Sequence, residues 1–300
     1  MRNIHRSWKG HWRRLASFMA LLLLAAAWAA TGSSRMWLPQ ALAQAPKSDA
    51  LRVYVFDCGR LKSANPQLLL ARGVTVTDMS VTAYLIEHPR GTLLWDACMI
   101  PDELIKPEGT TEARGTAHKT LRGQLAEIGY KPADITYLAL SHNHYDHSAN
   151  ANSFAGSTWL VNRAERAWMF ETKHAEPLNG SARFSALRDS KAVLLDGDHD
   201  VFGDGSVVIL ATPGHTPGHQ SLFVKLPKTG ALVLTGDLYH YPAERTLKDF
   251  ALYARFSEPP KEVISKARIE TLLKEKQATL WMGHDLIQDA TIRKSPAFYE

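Results

Sequence analysis

Cysteine is almost missing from this chain: 300 residues hold two, Cys58 and Cys98. Two cysteines so far apart exclude a zinc knuckle and a multi-disulfide scaffold. They leave either one bridge or two separate buried thiols, because each follows an expected strand and sequence does not fix their separation. Acidic residues are wholly absent from residues 1–45, which carry six Lys or Arg. Of the 35 basic side chains, 29 lie beyond residue 45 and face 30 acidic ones. The isoelectric point near 9.1 therefore belongs to the front segment. The remainder offers no basic surface for nucleic acid. Low-complexity stretches and clean linkers are lacking after residue 50, which favours one domain over two. Long apolar runs are lacking too, with one exception at the start.

That exception reads as a secretory leader. Arg2, Arg6, Lys9, Arg13 and Arg14 precede the apolar run Leu15–Ala30, and small-residue exits follow at Ala41-Leu42-Ala43 and Ala43-Gln44-Ala45. The run is short for a bilayer span, so cleavage after Ala45 is expected rather than a retained anchor. The Arg13-Arg14 pair hints at the twin-arginine route. The expected product is one domain over residues 46–300, periplasmic or secreted, with no stable membrane association.

Past the leader, short apolar strands alternate with helices. Strands are expected near Leu51–Val55, Thr82–Glu87, Gly91–Trp95, Ile135–Leu140, Trp159–Val161, Ala192–Leu195, Val207–Ala211, Ser221–Val224, Leu232–Leu234 and Thr279–Met282. Helices are expected at Thr120–Ile128, Arg163–Glu171 and Pro259–Lys274, the last with Val263, Ile264, Ala267, Ile269, Leu272 and Leu273 as its apolar face. Residues 98–118 show little periodicity and read as a long loop, of the kind that is usually a lid, a binding loop or disordered. Strands in two batches with flanking helices predict an α+β fold of two packed sheets with helices outside.

The chemistry is concentrated at residues 142–147, His-Asn-His-Tyr-Asp-His. On an extended segment His142 and His144 leave the same face, and Asp146 and His147 follow at once. Imidazole and carboxylate together suit Zn, Fe, Mn, Co or Ni rather than Ca or Mg. Further candidates each follow an apolar strand: His215 and His219 in Thr-Pro-Gly-His-Thr-Pro-Gly-His, Asp237 in Thr-Gly-Asp, and His284 in Gly-His-Asp. Loops at strand ends are where rigid scaffolds hold functional groups.

These four segments, in this order, resemble the metallo-β-lactamase superfamily. The Thr212–Gln220 run and Gly283-His284-Asp285-x-x-Gln288 are most similar to its N-acyl-homoserine lactonase branch. The resemblance implies an αββα sandwich, the metallo-β-lactamase-like fold, with two mixed sheets and two divalent metal ions, zinc in the first place, with Co, Mn and Fe accepting the same ligands. It implies His142, His144 and His215 on one ion, Asp146, His147 and His284 on the other, and Asp237 between them. A metal-bridging hydroxide would then attack an acyl carbon. The Asp237 carboxylate separates lactonases, glyoxalase II and several esterases and phosphodiesterases from true β-lactamases, which lack it. Asp96, closing its strand, would orient a ligating histidine or be a plain turn residue. His219 reads as packing or support for a ligand, and Asp285 as support or exposed. His88, His118, His174 and His199 read as surface residues. In the lactonases a tyrosine shortly after the bridging aspartate binds the substrate carbonyl. Here Tyr239, His240 and Tyr241 are the candidates, with Asp146 a candidate proton relay. The expected activity is hydrolysis of a lactone ring, N-acyl-homoserine lactone first, with other carboxylic ester, β-lactam or phosphodiester cleavage, or metal binding without turnover, as alternatives. The expected partner is a small lactone or ester, the loop Met99–His118 is a candidate wall for its acyl chain, and a homodimer is compatible with these readings.

Overall fold

The computed structural model describes residues 49–171, 181–246 and 258–300. The leader at 1–45 and His174 lie outside the described residues. Ala45–Glu300 forms one compact unit. Among the described residues no helix is long and apolar enough to cross a membrane.

The first half of the chain runs β1 (Arg52–Leu61), α1 (Pro66–Ala71), β2 (Met79–His88), β3 (Gly91–Trp95), β4 (Thr110–Glu112), β5 (Gly115–Ala117), α2 (Leu121–Glu127), β6 (Tyr137–Ala139), α3 (Tyr145–Ser148), β7 (Thr158–Asn162) and α4 (Arg163–Glu171). The second half runs β8 (Ala192–Leu195), β9 (His199–Asp200), β10 (Val207–Ala211), β11 (Gln220–Leu226), β12 (Gly230–Leu234), α5 (Pro259–Lys276), β13 (Thr279–Trp281), α6 (Leu286–Asp289) and β14 (Phe298–Tyr299).

One sheet has the order β4-β5-β1-β2-β3-β6-β7-β8, with β14 also on β1; the other is β13-β12-β11-β10-β9. Both are mixed. β1, β2 and β3 pair antiparallel, whereas β3, β6, β7 and β8 run parallel. β12 and β13 are parallel in an otherwise antiparallel sheet.

The period-two alternation of the strands builds the layers. From β1 and β2, Phe56, Cys58, Val81, Ala83 and Leu85 face Leu69 of α1 and Leu121 and Leu125 of α2. Their neighbours Val53, Val55, Tyr84 and Ile86 face Ile209, Leu222, Val224 and Leu232 of the other sheet. The outer face of that sheet buries Leu210, Phe223 and Val233 against Ile269 and Leu273 of α5. The layers are thus helix, sheet, sheet, helix, as expected. β2, covered on both faces, is buried at all ten positions.

Two expectations need correction. Residues 98–118 are not an open loop. A short 3₁₀ turn at Asp102–Leu104 is followed by the β4–β5 hairpin, which pairs with β1 through Arg60 and Leu61. β4 (Thr-Thr-Glu) and β5 (Gly-Thr-Ala) lack the large apolar residues that mark the equally short β6 and β13, and their partner lies some fifty residues upstream. Met99, Ile100 and Ala117 of this stretch are core residues. The apolar face of α5 is also rotated from the expected one. Val263 and Ile264 are 60% and 69% exposed, while Glu262, Ser265, Ile269 and Leu273 are buried. The first turns of this helix pack on the loop after β10 through polar contacts: Ser265 Oγ donates to Pro213 O at 2.7 Å, and Glu258 N to Gly214 O at 2.6 Å.

Candidate metal centre

β10, β12 and β13 end at the same end of their sheet, and β6 delivers its loop to the same place. His142 and His144 follow β6, and Asp146 and His147 sit in α3, whose first turn is closed by His147 N donating to His144 O at 3.1 Å. His215 follows β10, Asp237 follows β12 and His284 follows β13. The structure brings all seven together. His142, His144, His215 and Asp237 form one group of potential ligand atoms; Asp146, His147 and His284 form a second.

Asp237 lies between the groups with one oxygen toward each. Its Oδ2 is 3.6 Å from His142 Nε2 and 3.3 Å from His215 Nε2. Its Oδ1 is 3.0 Å from His147 Nε2 and 3.1 Å from His284 Nε2. His215 Nε2 and His144 Nδ1 are 3.0 Å apart, and His284 Nε2 is 3.5 Å from Asp146 Oδ2. Two atoms about 2.0–2.1 Å from one tetrahedral ion stand roughly 3.4 Å apart, so these spacings suit shared cations.

A second observation tests the fit. His142 Nε2, His147 Nε2 and Asp237 Oδ1 are buried and have no hydrogen-bond partner. Leaving such groups unsatisfied costs about 1–3 kcal/mol each; His142 Nε2 stands on one side of Asp237, His147 Nε2 faces Asp237 Oδ1 at 3.0 Å on the other, and a cation on each side would satisfy them. The opposite ring nitrogens are anchored. His147 Nδ1 is 2.9 Å from Asp96 Oδ2, His284 Nδ1 is 2.7 Å from Ser80 O, and His142 Nδ1 is 3.1 Å from Ser141 Oγ, which itself donates to Asp96 Oδ2 at 3.1 Å. Anchoring Nδ1 leaves Nε2 as the free lone pair, the usual arrangement behind a metal-ligating imidazole. The residues present fit divalent ions of the zinc type.

Electrostatics agree with neutral ligands on one side. Burial pushes His144 down to about 3, with neighbouring His215 adding to the effect. Burial, then His147, holds His142 well below the usual imidazole range. Burial opposes charge on His147 too, but Asp237, Asp96 and Asp146 outweigh it and raise that ring well above its ordinary value. Burial likewise disfavours an ionised Asp237, yet His284, His147 and His142 hold its carboxyl well below the usual range.

His219 does not offer a ligand atom. Its Nε2 accepts from Asp237 N at 3.0 Å, and its Nδ1 lies 3.1 Å from Thr212 O. It therefore fixes the backbone that presents Asp237. The close fit requires Gly236, with φ +53°: a Cβ there would stand 2.7 Å from Ser141 Cβ and 2.9 Å from His219 Nε2. Asp285 caps α6, accepting from Ile287 N and Gln288 N at 3.0 and 3.1 Å. Gln288 returns to β13 by accepting from Met282 N and donating to Leu280 O, both at 2.8 Å.

Of the three residues considered for substrate contact, only His240 faces the cluster, with Nε2 3.2 Å from Asp237 Oδ2. The expectation for Tyr239 is corrected: its hydroxyl donates to Glu270 on α5 at 3.1 Å, and its ring packs in the outer core. Tyr241 OH donates to Thr77 O at 2.8 Å. Adjacent residues on this extended backbone point in different directions, so only one of the run reaches inward. His88 is also corrected. It is buried, stacked 4.1 Å from the Phe202 ring and 2.9 Å from Asp204 Oδ2, a packing residue and not a surface one. His118 is exposed and His199 half-buried on β9.

Sequence reasoning missed Glu165. This buried side chain on α4 joins the two histidine loops. Its Oε1 accepts from Asn143 N at 2.8 Å, and its Oε2 accepts from Thr216 Oγ1 at 2.7 Å and Gly218 N at 3.0 Å. Gly218 is needed because a Cβ would run into the Glu165 backbone. An acidic residue in the first turn of a helix ordinarily reads as solvated, so no signal marked it. Burial pushes Glu165 up to about 7 despite its three donors. A pKa raised on folding contributes stability that is full below about 4.5 and is lost as pH rises through about 7. In urea unfolding of metal-free protein, the advantage of wild type over Glu165→Gln is expected to shrink by about 3 kcal/mol across that window. A pH-independent difference would contradict the buried-acid assignment.

Fold and cage define a class: a sandwich of two mixed sheets that gathers histidine and aspartate ligands where its strands end. The metallo-beta-lactamase superfamily profile matches residues 76–284, and the chain belongs to that superfamily. Curated relatives include the N-acyl homoserine lactonase AttM of Rhizobium radiobacter, 29% identical over 266 residues, covering 83% of this chain and 98% of the relative. The N-acyl homoserine lactonase AiiA of Bacillus thuringiensis subsp. kurstaki is 29% identical over 259 residues, covering 82% and 98%. Among solved structures, a quorum-quenching N-acyl homoserine lactone lactonase superposes with TM-score 0.68 at 24% identity, covering 85% of this chain and all of its own. AidC, described as a dizinc quorum-quenching lactonase, superposes with TM-score 0.56 at 18% identity, covering 84% and 95%.

Proposed function

We propose that this protein is a dinuclear metal-dependent hydrolase that opens lactone rings, with N-acyl-homoserine lactones as the favoured substrates. The observation that carries the reading is Asp237, whose two oxygens face separate histidine groups. His142, His144 and His215 would hold one ion, and Asp146, His147 and His284 the other, with Asp237 shared. A metal pair supplies Lewis acidity for an acyl carbonyl and brings the pKa of water toward neutrality. The chain's own residues supply the rest. Asp96, Ser141 and Ser80 fix ring orientation, and His219 fixes the shared carboxylate. Asp146 would carry a proton to the leaving oxygen. AttM and AiiA, lactonases by name that match most of the chain, support the substrate class.

Export to the periplasm or beyond belongs to the same proposal. It rests on the leader and is compatible with the buried Cys58–Cys98 disulfide, since such bonds persist in oxidising compartments.

The test is a panel of an N-acyl-homoserine lactone, a simple carboxylic ester, nitrocefin and bis-nitrophenyl phosphate, assayed with one metal-loaded preparation. Turnover of the lactone above the others is expected. A preference for nitrocefin or the phosphodiester, with no ring opening, would move the chain to another branch of the superfamily.

A further inference from the structure

His240 shares the dressing of the cage histidines. Each anchored ligand presents Nε2 inward and rests its Nδ1 on an oxygen: His142 on Ser141, His147 on Asp96, His284 on Ser80. His240 has the same orientation, although its buried Nδ1 meets its carboxylate at ion-pair distance without a hydrogen bond. Its Nε2 lies 3.2 Å from Asp237 Oδ2, and its Nδ1 faces Glu244 Oε1 at 3.3 Å. Asp237, His240 and His284 constitute a further group whose ligand atoms lie within 4.8 Å of one another. The ring is stacked on His284, with centroids 5.5 Å apart and planes 10° apart, and its centroid is 5.3 Å from that of His215. It stands where the two halves of the cage meet.

What lies behind His240 is built to hold it there. Glu244 is buried, and its Oε1 accepts from the backbone N–H of His240 at 2.7 Å and of Tyr241 at 3.0 Å. Its other oxygen pairs with Lys266 at 3.2 Å, and Lys266 pairs with Glu262 at 2.7 Å. Burying this many charges is costly unless each is matched, and the matched chain runs from α5 to the ring of His240. A carboxylate on the far nitrogen is the ordinary support of a metal-bound imidazole: it sets the tautomer and raises ligand basicity.

We infer that His240 is an additional metal ligand, entering on the Asp237–His284 face through Nε2, with Glu244 as the carboxylate that orients it. The assignment rests on the metal-pair reading above and makes the centre richer in histidine than the seven-residue set. It also removes His240 from the role of a free donor to the substrate.

The experiment is cobalt or zinc reconstitution of metal-free protein, with affinities for each ion from chelator competition and the visible spectrum of the cobalt form. His240→Phe keeps the stacked ring but no nitrogen; Glu244→Gln keeps His240 but weakens its support. In His240→Phe one of the two ions is expected to bind about 10–100-fold more weakly, with a changed cobalt spectrum, while the other ion is unaffected. Glu244→Gln should shift the same ion in the same direction by a smaller factor. Unchanged affinities and spectrum in a folded His240→Phe protein would overturn the assignment and leave the metal pair standing. Wild-type protein that binds no metal would overturn both.

Discussion

Asp237→Asn is expected to lower lactone hydrolysis by at least about a thousandfold, equivalent to about 4 kcal/mol of transition-state stabilisation. It is also expected to cut the metal content from two ions per chain to one or none. The substitution keeps shape and removes one function. An amide has a single oxygen for a cation, and its nitrogen has no lone pair to give. Here the two oxygens face different groups, Oδ2 toward His142 and His215, Oδ1 toward His147 and His284. A neutral amide therefore serves one half of the cage at most and leaves the other without its negative charge. The backbone should stay in place, because Asp237 N is held by His219 and not by its own side chain. The metal-free variant should therefore stay folded, with an unfolding temperature below that of metal-free wild type because the buried histidines lose their paired carboxylate. Retention of two ions and of turnover by Asp237→Asn would remove this residue from the bridging position.

Opening the Cys58–Cys98 bridge should give the largest loss of stability. The disulfide closes 40 residues of sequence between β1 and the segment after β3. The chain-entropy relation gives about 4 kcal/mol for a loop of that length. For a chain of this size that corresponds to a fall in unfolding temperature of roughly 8–16 °C. The effect should reach the cage. Asp96 and Cys98 both have left-handed backbone, with φ of 63° and 60°. Such conformations cost of order 1–3 kcal/mol each for residues other than glycine, and persist only when surroundings hold them. The surroundings are the bridge and three backbone bonds to the histidine loop: Ala97 N to His147 O at 2.7 Å, Ala149 N to Cys98 O and Asn150 N to Ala97 O, both at 3.0 Å. This turn aims Asp96 at Ser141 and His147. The Cys58→Ser, Cys98→Ser double variant should thus melt earlier and also bind metal more weakly. Calorimetry with and without reductant checks the first point, and an unchanged unfolding temperature would contradict it.

What the sequence made legible was the set of groups carried at strand ends. The ligand candidates from His142 to His284 lie in short motifs whose residue types announce metal chemistry, and each follows an apolar strand. Support residues were harder. Asp96 was visible because it closes a strand, whereas Glu165 and Glu244 resemble ordinary solvated acids until the fold buries them. The β4–β5 hairpin was hidden because its pairing partner is distant in sequence. The packing face of α5 was misjudged because periodicity marks where apolar residues lie, not which neighbour is waiting: Gly214 and Pro213 take the polar side of that helix near its start. The run Tyr239-His240-Tyr241 could not be resolved from sequence, since only backbone geometry decides which of three adjacent rings turns inward.

The most direct measurement is a metal titration of metal-free protein during ring opening of an N-acyl-homoserine lactone. The account predicts no turnover without metal, and activity that rises until two equivalents per chain are bound and then levels. Full ring-opening activity in protein stripped of transition metal would contradict it.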